Sequence, residues 1–103
     1  MDKYGIAHYD LYELKGLLFN PETRIITRLS RIEAVKLGYA SDSDMVDRIQ
    51  RIKVDEIYKT MESDTKSGLW QDVYRTQDGS VELYIKLQKS FDGKGVIIQF
   101  KKK

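Results

Sequence analysis

The sequence predicts an α+β domain in which N-terminal helices pack on one face of a C-terminal antiparallel sheet of about four or more strands. Residues 69–101 hold three runs rich in aromatic and β-branched side chains, and glycine-containing turns at 76–79 and 91–95 separate them. This arrangement is typical of an antiparallel meander, because glycine supplies the positive φ of tight turns. Residues 10–52 instead repeat apolar side chains at helical spacing.

The composition is that of an ordinary globular protein, with 41% hydrophobic and 33% charged residues, and we expect residues 1–103 to form one domain. No apolar run approaches the ~20 residues that cross a bilayer. The first residues lack the apolar segment of a signal peptide, which favours a cytoplasmic protein without a membrane partner. The chain has no cysteine and one histidine, His8, so we expect no thiolate chemistry, no metal site and no cofactor.

The N-terminal part begins without a clear pattern and then turns helical. Residues 1–9 show no period and are expected to be a loose lead-in. Asp10 is placed to cap the first helix, with Glu13 completing a capping box. Pro21 ends this helix, because the residue before a proline avoids the α region. The apolar run at 24–27 predicts a short strand.

Two further helices are predicted before residue 53. Leu29, Ile32 and Val35 give the second helix one apolar face. Gly38 then stands where a left-handed C-terminal cap belongs. Residues 41–44 are rich in serine and aspartate and predict the start of the third helix. The apolar face of this third helix is formed by Met45, Ile49 and Ile52.

The middle strand of the meander assigns its side chains to two faces, because successive residues of a strand point to opposite sides. The side chains expected on the core face are Val81, Leu83, Ile85 and Leu87. Those expected on the other face are Glu82, Tyr84, Lys86 and Gln88. One face is therefore apolar, and the other carries a phenol, an ammonium group and an amide.

The two strands predicted before it each contain a conflict. Residues 57–61 fit a strand better than a helix extension, although Ile57 and Met61 are four residues apart. If Lys59 points away from the core, both apolar neighbours follow it, so that side is partly covered or the strand is irregular. In the next strand, inward-pointing Trp70 and Tyr74 would take Asp72 inward too. A buried carboxylate there needs hydrogen-bond donors.

The basic charge is concentrated at the C-terminal end. Residues 82–103 hold six lysines against Glu82 and Asp92, a net charge of +4, whereas residues 1–81 sum to −2. A basic patch on one sheet favours a phosphate-bearing partner. The alternative is that these lysines are simply solvated and protect an edge strand from pairing.

Adjacent strands could gather six polar side chains into one surface. They are Lys59, Gln71, Tyr84, Lys86, Gln99 and Lys101. Lysines and a tyrosine without a histidine or a carboxylate pair suit the handling of a phosphodiester. Ammonium groups stabilise the charge of a phosphorane, and a phenol can pass a proton. Neighbouring lysines also lower one another's pKa. With RNA, the substrate's own 2′-hydroxyl can be the nucleophile.

Two other interpretations remain open from the residues alone. Exposed lysines opposite a core face are common, and the same sheet could serve a non-catalytic RNA-binding module, which predicts salt-sensitive binding without cleavage. It could also belong to a protein-interaction domain with a basic end, which predicts neither RNA binding nor cleavage.

The order and spacing of four blocks resemble the MqsR family, toxins of type II toxin–antitoxin systems related in fold to the RelE and YoeB ribonucleases. The blocks are 58–61 (YKTM), 70–74 (WQDVY), 84–87 (YIKL) and 96–101 (VIIQFK). The resemblance implies a RelE-like fold and a metal-independent endoribonuclease that cleaves mRNA without the ribosome, at GC-containing triplets such as GCU. It also implies an MqsA-like antitoxin partner, with a zinc-binding domain and a helix-turn-helix domain.

The resemblance also assigns residues. The family's site residues fall on Lys59, Gln71, Tyr84 and Lys101. Further RNA contacts are expected from Arg75, Lys86, Gln99 and Lys102. The implied reaction leaves a 2′,3′-cyclic phosphate and a 5′-hydroxyl. Tyr84 would help to move the 2′-hydroxyl proton or would orient the attacking oxygen, and Gln71 would position the phosphate. Lys59 and Lys101 would stabilise the phosphorane, and one of them would protonate the leaving oxygen.

Two positions depart from the family pattern. Thr60 replaces a serine and keeps the hydroxyl. Lys102 replaces a glutamate in the family's Phe-Lys-Glu-Lys ending, which should make the site more positive.

Overall fold

A computed structural model describes all 103 residues. Its three helices are α1 (Leu11–Phe19), α2 (Arg28–Val35) and α3 (Asp42–Gln50). Its six strands are β1 (Lys3–Tyr4), β2 (Arg24–Ile26), β3 (Ile57–Glu62), β4 (Trp70–Asp78), β5 (Val81–Lys89) and β6 (Gly95–Lys102). None of the helices combines the length and the apolar character that crossing a bilayer requires.

The strands form one open sheet in the order β1-β3-β4-β5-β6-β2. All neighbouring pairs are antiparallel except β2 and β6, which run parallel. Gly79, at φ +60°, lies in the two-residue turn that joins β4 to β5. The predicted α+β class and the β4–β5–β6 meander are therefore confirmed, as is the strand assignment of residues 57–61.

The core lies between the helices and one face of the sheet, which we call the inner face. From β5 the inner face contributes Leu83, Ile85 and Leu87, which the alternation predicted. The other large side chains that are fully buried include Leu14, Leu18, Met45, Ile49, Tyr74 and Phe100. Packing of this kind is the main source of stability in a domain of this size. Tyr74 is thus a core residue, as predicted.

The helix caps are partly as predicted. The Ser41 side chain and Asp44 form a capping box at the start of α3, and Gly38 has the left-handed φ of +93° expected after α2. The Asp10 side chain accepts from the backbone N–H of Tyr12 and caps α1. Glu13 does not complete a capping box; its carboxylate instead lies 3.3 Å from the Lys89 ammonium of β5.

The apolar face predicted for α2 does not pack on the core, which corrects the prediction. Leu29, Ile32 and Val35 are exposed, while Ser30 and Ala34 are buried. The reason is that α2 lies along β6 beyond the short β2 strand. There the carboxylate of α2 residue Glu33 accepts from the backbone N–H of Phe100, 3.1 Å away.

The first nine residues are attached to the sheet, whereas a loose lead-in was predicted. Lys3 and Tyr4 pair with β3, and the backbone N–H groups of His8 and Tyr9 donate to the Asp72 carboxylate at 2.9–3.1 Å. Asp72 is fully buried, so these bonds supply the donors that its inward position requires. The N-terminal segment therefore belongs to the fold.

Candidate functional site

The face of the sheet opposite the core carries the polar side chains that the sequence predicted to lie together. We call it the basic face and define it by Lys59, Gln71, Tyr84, Lys86, Gln99 and Lys101. Lys59 pairs with Val73, which pairs with Lys86, which in turn pairs with Gln99, so these residues form one row across β3 to β6. Tyr84 and Lys101 are paired in the adjacent row.

Two β-bulges set the direction of these side chains. The register of β3 against β4 shifts between Ile57 and Lys59, so Ile57 packs against the core while Lys59 faces the other way. The register of β6 shifts in the same manner, with Ile97 buried and Gln99 on the basic face. A bulge re-aims the side chains that follow it. The bulge in β3 resolves the conflict noted for residues 57–61 at Ile57, whereas Met61 pairs with Gln71 and stays on the side of Lys59.

Lys59 is held by an ion pair that the sequence did not indicate. Its ammonium lies 2.7 Å from the carboxylate of Asp2, and the exposed side-chain fractions are 14% and 35%. The same ammonium lies 5.7 Å from the ring centroids of Tyr4 and Tyr58. The hydrogen bond to Asp2 raises the pKa of Lys59 and lowers that of Asp2. Lys59 is therefore a protonated group at neutral pH.

Lys86 is affected in the opposite direction. Burial lowers the pKa of Lys86, and the neighbouring ammonium groups of Lys101 and Lys59 lower it further, while Asp64 acts against them. Burial also raises the pKa of Tyr84, so that its phenol stays protonated at neutral pH. The Lys101 ammonium lies 5.0 Å above the Tyr84 ring. The row thus combines a firmly protonated lysine with one that releases its proton more readily.

Gln71 lies next to this row, fixed by a neighbouring amide. Its side-chain N–H donates to the Gln88 amide oxygen at 3.0 Å, across the β4–β5 pairing. Gln88 is itself buried. This bond leaves the side-chain oxygen of Gln71 and its second side-chain N–H free to contact a ligand, because a side-chain amide has two donor hydrogens and one acceptor oxygen.

The remaining predicted RNA contacts differ in their surroundings. Gln99 lies in the Lys59–Lys86 row, as described. Arg75 also points to the basic face, but its guanidinium makes two bonds to Glu82, at 2.7 and 3.2 Å, and lies 4.9 Å from the Tyr58 ring. Lys102 pairs with Leu83 and so falls on the inner-face side of β6, beside α2. The structure does not bring Lys102 to the basic face, because the strand alternates.

Three residues beside the site were missed by sequence reasoning. Asp2 carried no signal, since it lies in a segment without a periodic pattern. Tyr4 is 63% exposed and its ring meets that of Tyr58 edge-to-face, with centroids 5.4 Å apart. Tyr58 lies within the bulge, whose position cannot be read from a two-residue period. Its place directly before Lys59 was the available signal.

No cluster of three or more histidine, cysteine, aspartate or glutamate side chains is arranged to hold a metal ion. Residues 6–102 match the family model described as "Motility quorum-sensing regulator, toxin of MqsA". No curated protein gives a significant match to the chain. The family match covers nearly the whole sequence, including every residue of the basic face. The chain therefore belongs to the MqsR family, toxins of toxin–antitoxin systems that have an antitoxin as their partner.

Proposed function

We propose that this toxin is an endoribonuclease that cleaves mRNA at the basic face, needing neither a metal ion nor the ribosome, by attack of the substrate's own 2′-hydroxyl. The observation that carries the proposal is the shared face of three ammonium groups, a phenol and two amides. These are the donor groups that stabilise a phosphorane and place a phosphodiester. The antitoxin partner would be MqsA-like, and any zinc in a complex would belong to that partner.

The pKa directions suggest how the protons move. Lys86, with its lowered pKa, would accept the proton of the 2′-hydroxyl as a neutral amine while the 2′-oxygen attacks phosphorus. Lys59, held protonated by Asp2, would donate a proton to the departing 5′-oxygen as the P–O5′ bond breaks. The neutral Tyr84 phenol and the Lys101 ammonium would donate hydrogen bonds to the phosphorane oxygens. The products are a 2′,3′-cyclic phosphate and a 5′-hydroxyl.

The direct test is to incubate the purified protein with a defined mRNA in EDTA, without ribosomes, and to map the fragment ends. Discrete cuts with 5′-hydroxyl and 2′,3′-cyclic phosphate ends are expected. RNA that stays intact but shifts on a native gel would contradict cleavage and favour the RNA-binding module. Cuts that appear only when ribosomes are added would contradict independence from the ribosome.

The role of Lys86 predicts a pH dependence. Because its pKa lies below that of an ordinary lysine, the neutral fraction of Lys86 grows as the pH rises through that lowered pKa. The cleavage rate should therefore rise across the neutral and alkaline range and then level off. Lys86→Arg keeps the charge but stays protonated throughout, so the rise should flatten. A parallel rise in both proteins would remove Lys86 as the proton acceptor.

The ion pair to Asp2 predicts a gain of RNA affinity when it is broken. In Asp2→Asn the Lys59 ammonium is no longer neutralised, and RNA binding should tighten by about two- to fivefold at low salt, as expected for a partly exposed pair. Fluorescence anisotropy with a labelled RNA measures this. Glu13→Gln is the matched control, because it breaks the Lys89 ion pair on the other side of the sheet. An equal gain in both variants would mean that only net charge matters.

A further inference from the structure

Arg48 of α3 is a buried cation without a charged partner. It is only 5% exposed, and none of the four ion pairs in the chain includes it. Its Nη2 group donates to the Thr76 hydroxyl at 2.5 Å and to the Gln77 carbonyl at 2.8 Å. Its Nη1 group is buried and has no hydrogen-bond partner. Buried charges are normally paired, so this arrangement is unusual.

The carboxylates near Arg48 are engaged elsewhere. Glu56 accepts from the Thr76 hydroxyl at 2.8 Å and from the backbone N–H of Lys53 at 2.8 Å, so it reaches Arg48 only through Thr76. Asp78 accepts from the Tyr39 hydroxyl. Neither acid neutralises the guanidinium by direct contact. The Nη1 hydrogens therefore have no acceptor within the chain, and because Nη1 is itself buried, a ligand in the cleft reaches it only when neighbouring side chains move aside.

Arg48 lines a cleft between the end of α3 and the β4–β5 turn. Arg51 and Lys53, both exposed, add two more cations to its rim, against the carboxylates of Glu56 and Asp78. No apolar side chain lines the cleft. Thr76 pairs with Leu83 on the inner face, so the cleft opens on the side of the sheet opposite the basic face.

We infer that this cleft binds a tetrahedral oxyanion of the phosphate class, either free phosphate or the phosphate group of a nucleotide. An arginine with unused N–H donors is the side chain best suited to phosphate oxygens. A docked protein segment would instead need an apolar or aromatic anchor, which the lining does not offer. The site is separate from the proposed RNA-cleaving surface, and its occupation would neutralise the charge buried at Arg48.

The test uses the full chain and inorganic phosphate. Phosphate is titrated at constant ionic strength, and the ¹⁵N side-chain signals of Arg48 are followed by NMR, since phosphate on the basic face would leave them unmoved. Saturable shifts of these signals are expected. Adenosine 5′-monophosphate and adenosine are titrated in parallel: tighter binding of the monophosphate than of phosphate identifies a nucleotide ligand, and equal or weaker binding identifies the free ion.

The variants avoid Arg48 itself, whose replacement could unfold the chain. Arg51→Gln and Lys53→Gln should each weaken phosphate binding by about two- to fivefold, the effect expected of one exposed charge. Arg28→Gln removes an exposed arginine of α2 and should leave the affinity unchanged. Arg48 signals that do not move, or equal affinities in all three variants, would overturn the inference and indicate an adventitious ion only.

Discussion

Lys59→Gln is expected to reduce the rate of mRNA cleavage by about 10²–10³ while leaving the fold intact. Glutamine keeps a polar side chain, one bond shorter than lysine. It is uncharged, so it can neither place a positive charge beside the phosphorane nor donate a proton to the 5′-oxygen. Lys59 lies in a partly exposed ion pair and not in the core, so its loss should cost little stability. Single-turnover cleavage of a defined RNA, with the thermal midpoint measured alongside, separates the two effects.

Lys89→Gln provides the matched control. Lys89 also belongs to the sheet and also forms an ion pair, with Glu13, but it lies on the helix side. The Lys89→Gln variant should therefore cleave RNA at the rate of the parent protein. Equal losses in both variants would mean that RNA cleavage depends on total charge and not on the basic face. Parent-like cleavage by Lys59→Gln would remove Lys59 from the catalytic group.

The two faces of the sheet could be predicted from sequence because a strand alternates with a fixed period of two. On β5, Leu83 and Ile85 are buried while Tyr84 and Lys86 face away from the core, as predicted. The same period places Lys102, two residues beyond Phe100, on the inner-face side, which is why it does not join the predicted RNA contacts on the basic face.

The bulges could not be predicted in this way, because one extra residue leaves no mark in composition or period. The pattern of residues 57–61 indicated only a conflict, and the register shift before Lys59 resolves it for Ile57 but not for Met61. Long-range contacts could not be predicted either, because they also leave no mark in the local sequence. Asp2 and Lys59 are 57 residues apart in the chain, and nothing local in the first nine residues indicates that they meet.

The prediction for the core-facing side of α2 was wrong for a different reason. Its apolar residues Leu29, Ile32 and Val35 have the spacing of a core-facing stripe, yet they are exposed. Periodicity shows that a helix has an apolar face but not which neighbour that face meets. Here the position of α2 is set by the strand edge that it covers, through the bond from Phe100 to Glu33.

Asp72→Asn is expected to lower the free energy of unfolding by about 3 kcal/mol. The buried Asp72 carboxylate accepts from the backbone N–H groups of both His8 and Tyr9. The asparagine oxygen can take the place of the carboxylate oxygen that accepts from both His8 and Tyr9. Its NH2 group then lies where the other oxygen was, 3.0 Å from the His8 N–H, so two donors face each other and the charge assistance is lost. The thermal midpoint should fall by roughly 10 °C or more in a domain of this length.

Asp55→Asn is the control, because this exposed aspartate makes no side-chain hydrogen bond. The free energy of unfolding of this variant should match that of the parent protein. Hydrogen exchange adds a local readout. The Gly5 N–H, which donates to the Tyr58 carbonyl at 2.8 Å, should lose protection in Asp72→Asn as the N-terminal segment loosens. Parent-like stability and protection would show that other contacts hold this segment.

The same substitution should also change RNA binding, because the segment anchored by Asp72 carries Asp2 to Lys59. When the anchor is weakened, the Asp2–Lys59 ion pair forms less often, and Asp72→Asn should tighten RNA binding in the direction expected for Asp2→Asn. Adding Asp2→Asn to Asp72→Asn should then give less than the sum of the two gains, since both act on one interaction. Fully additive gains would show that the anchor does not act through the basic face.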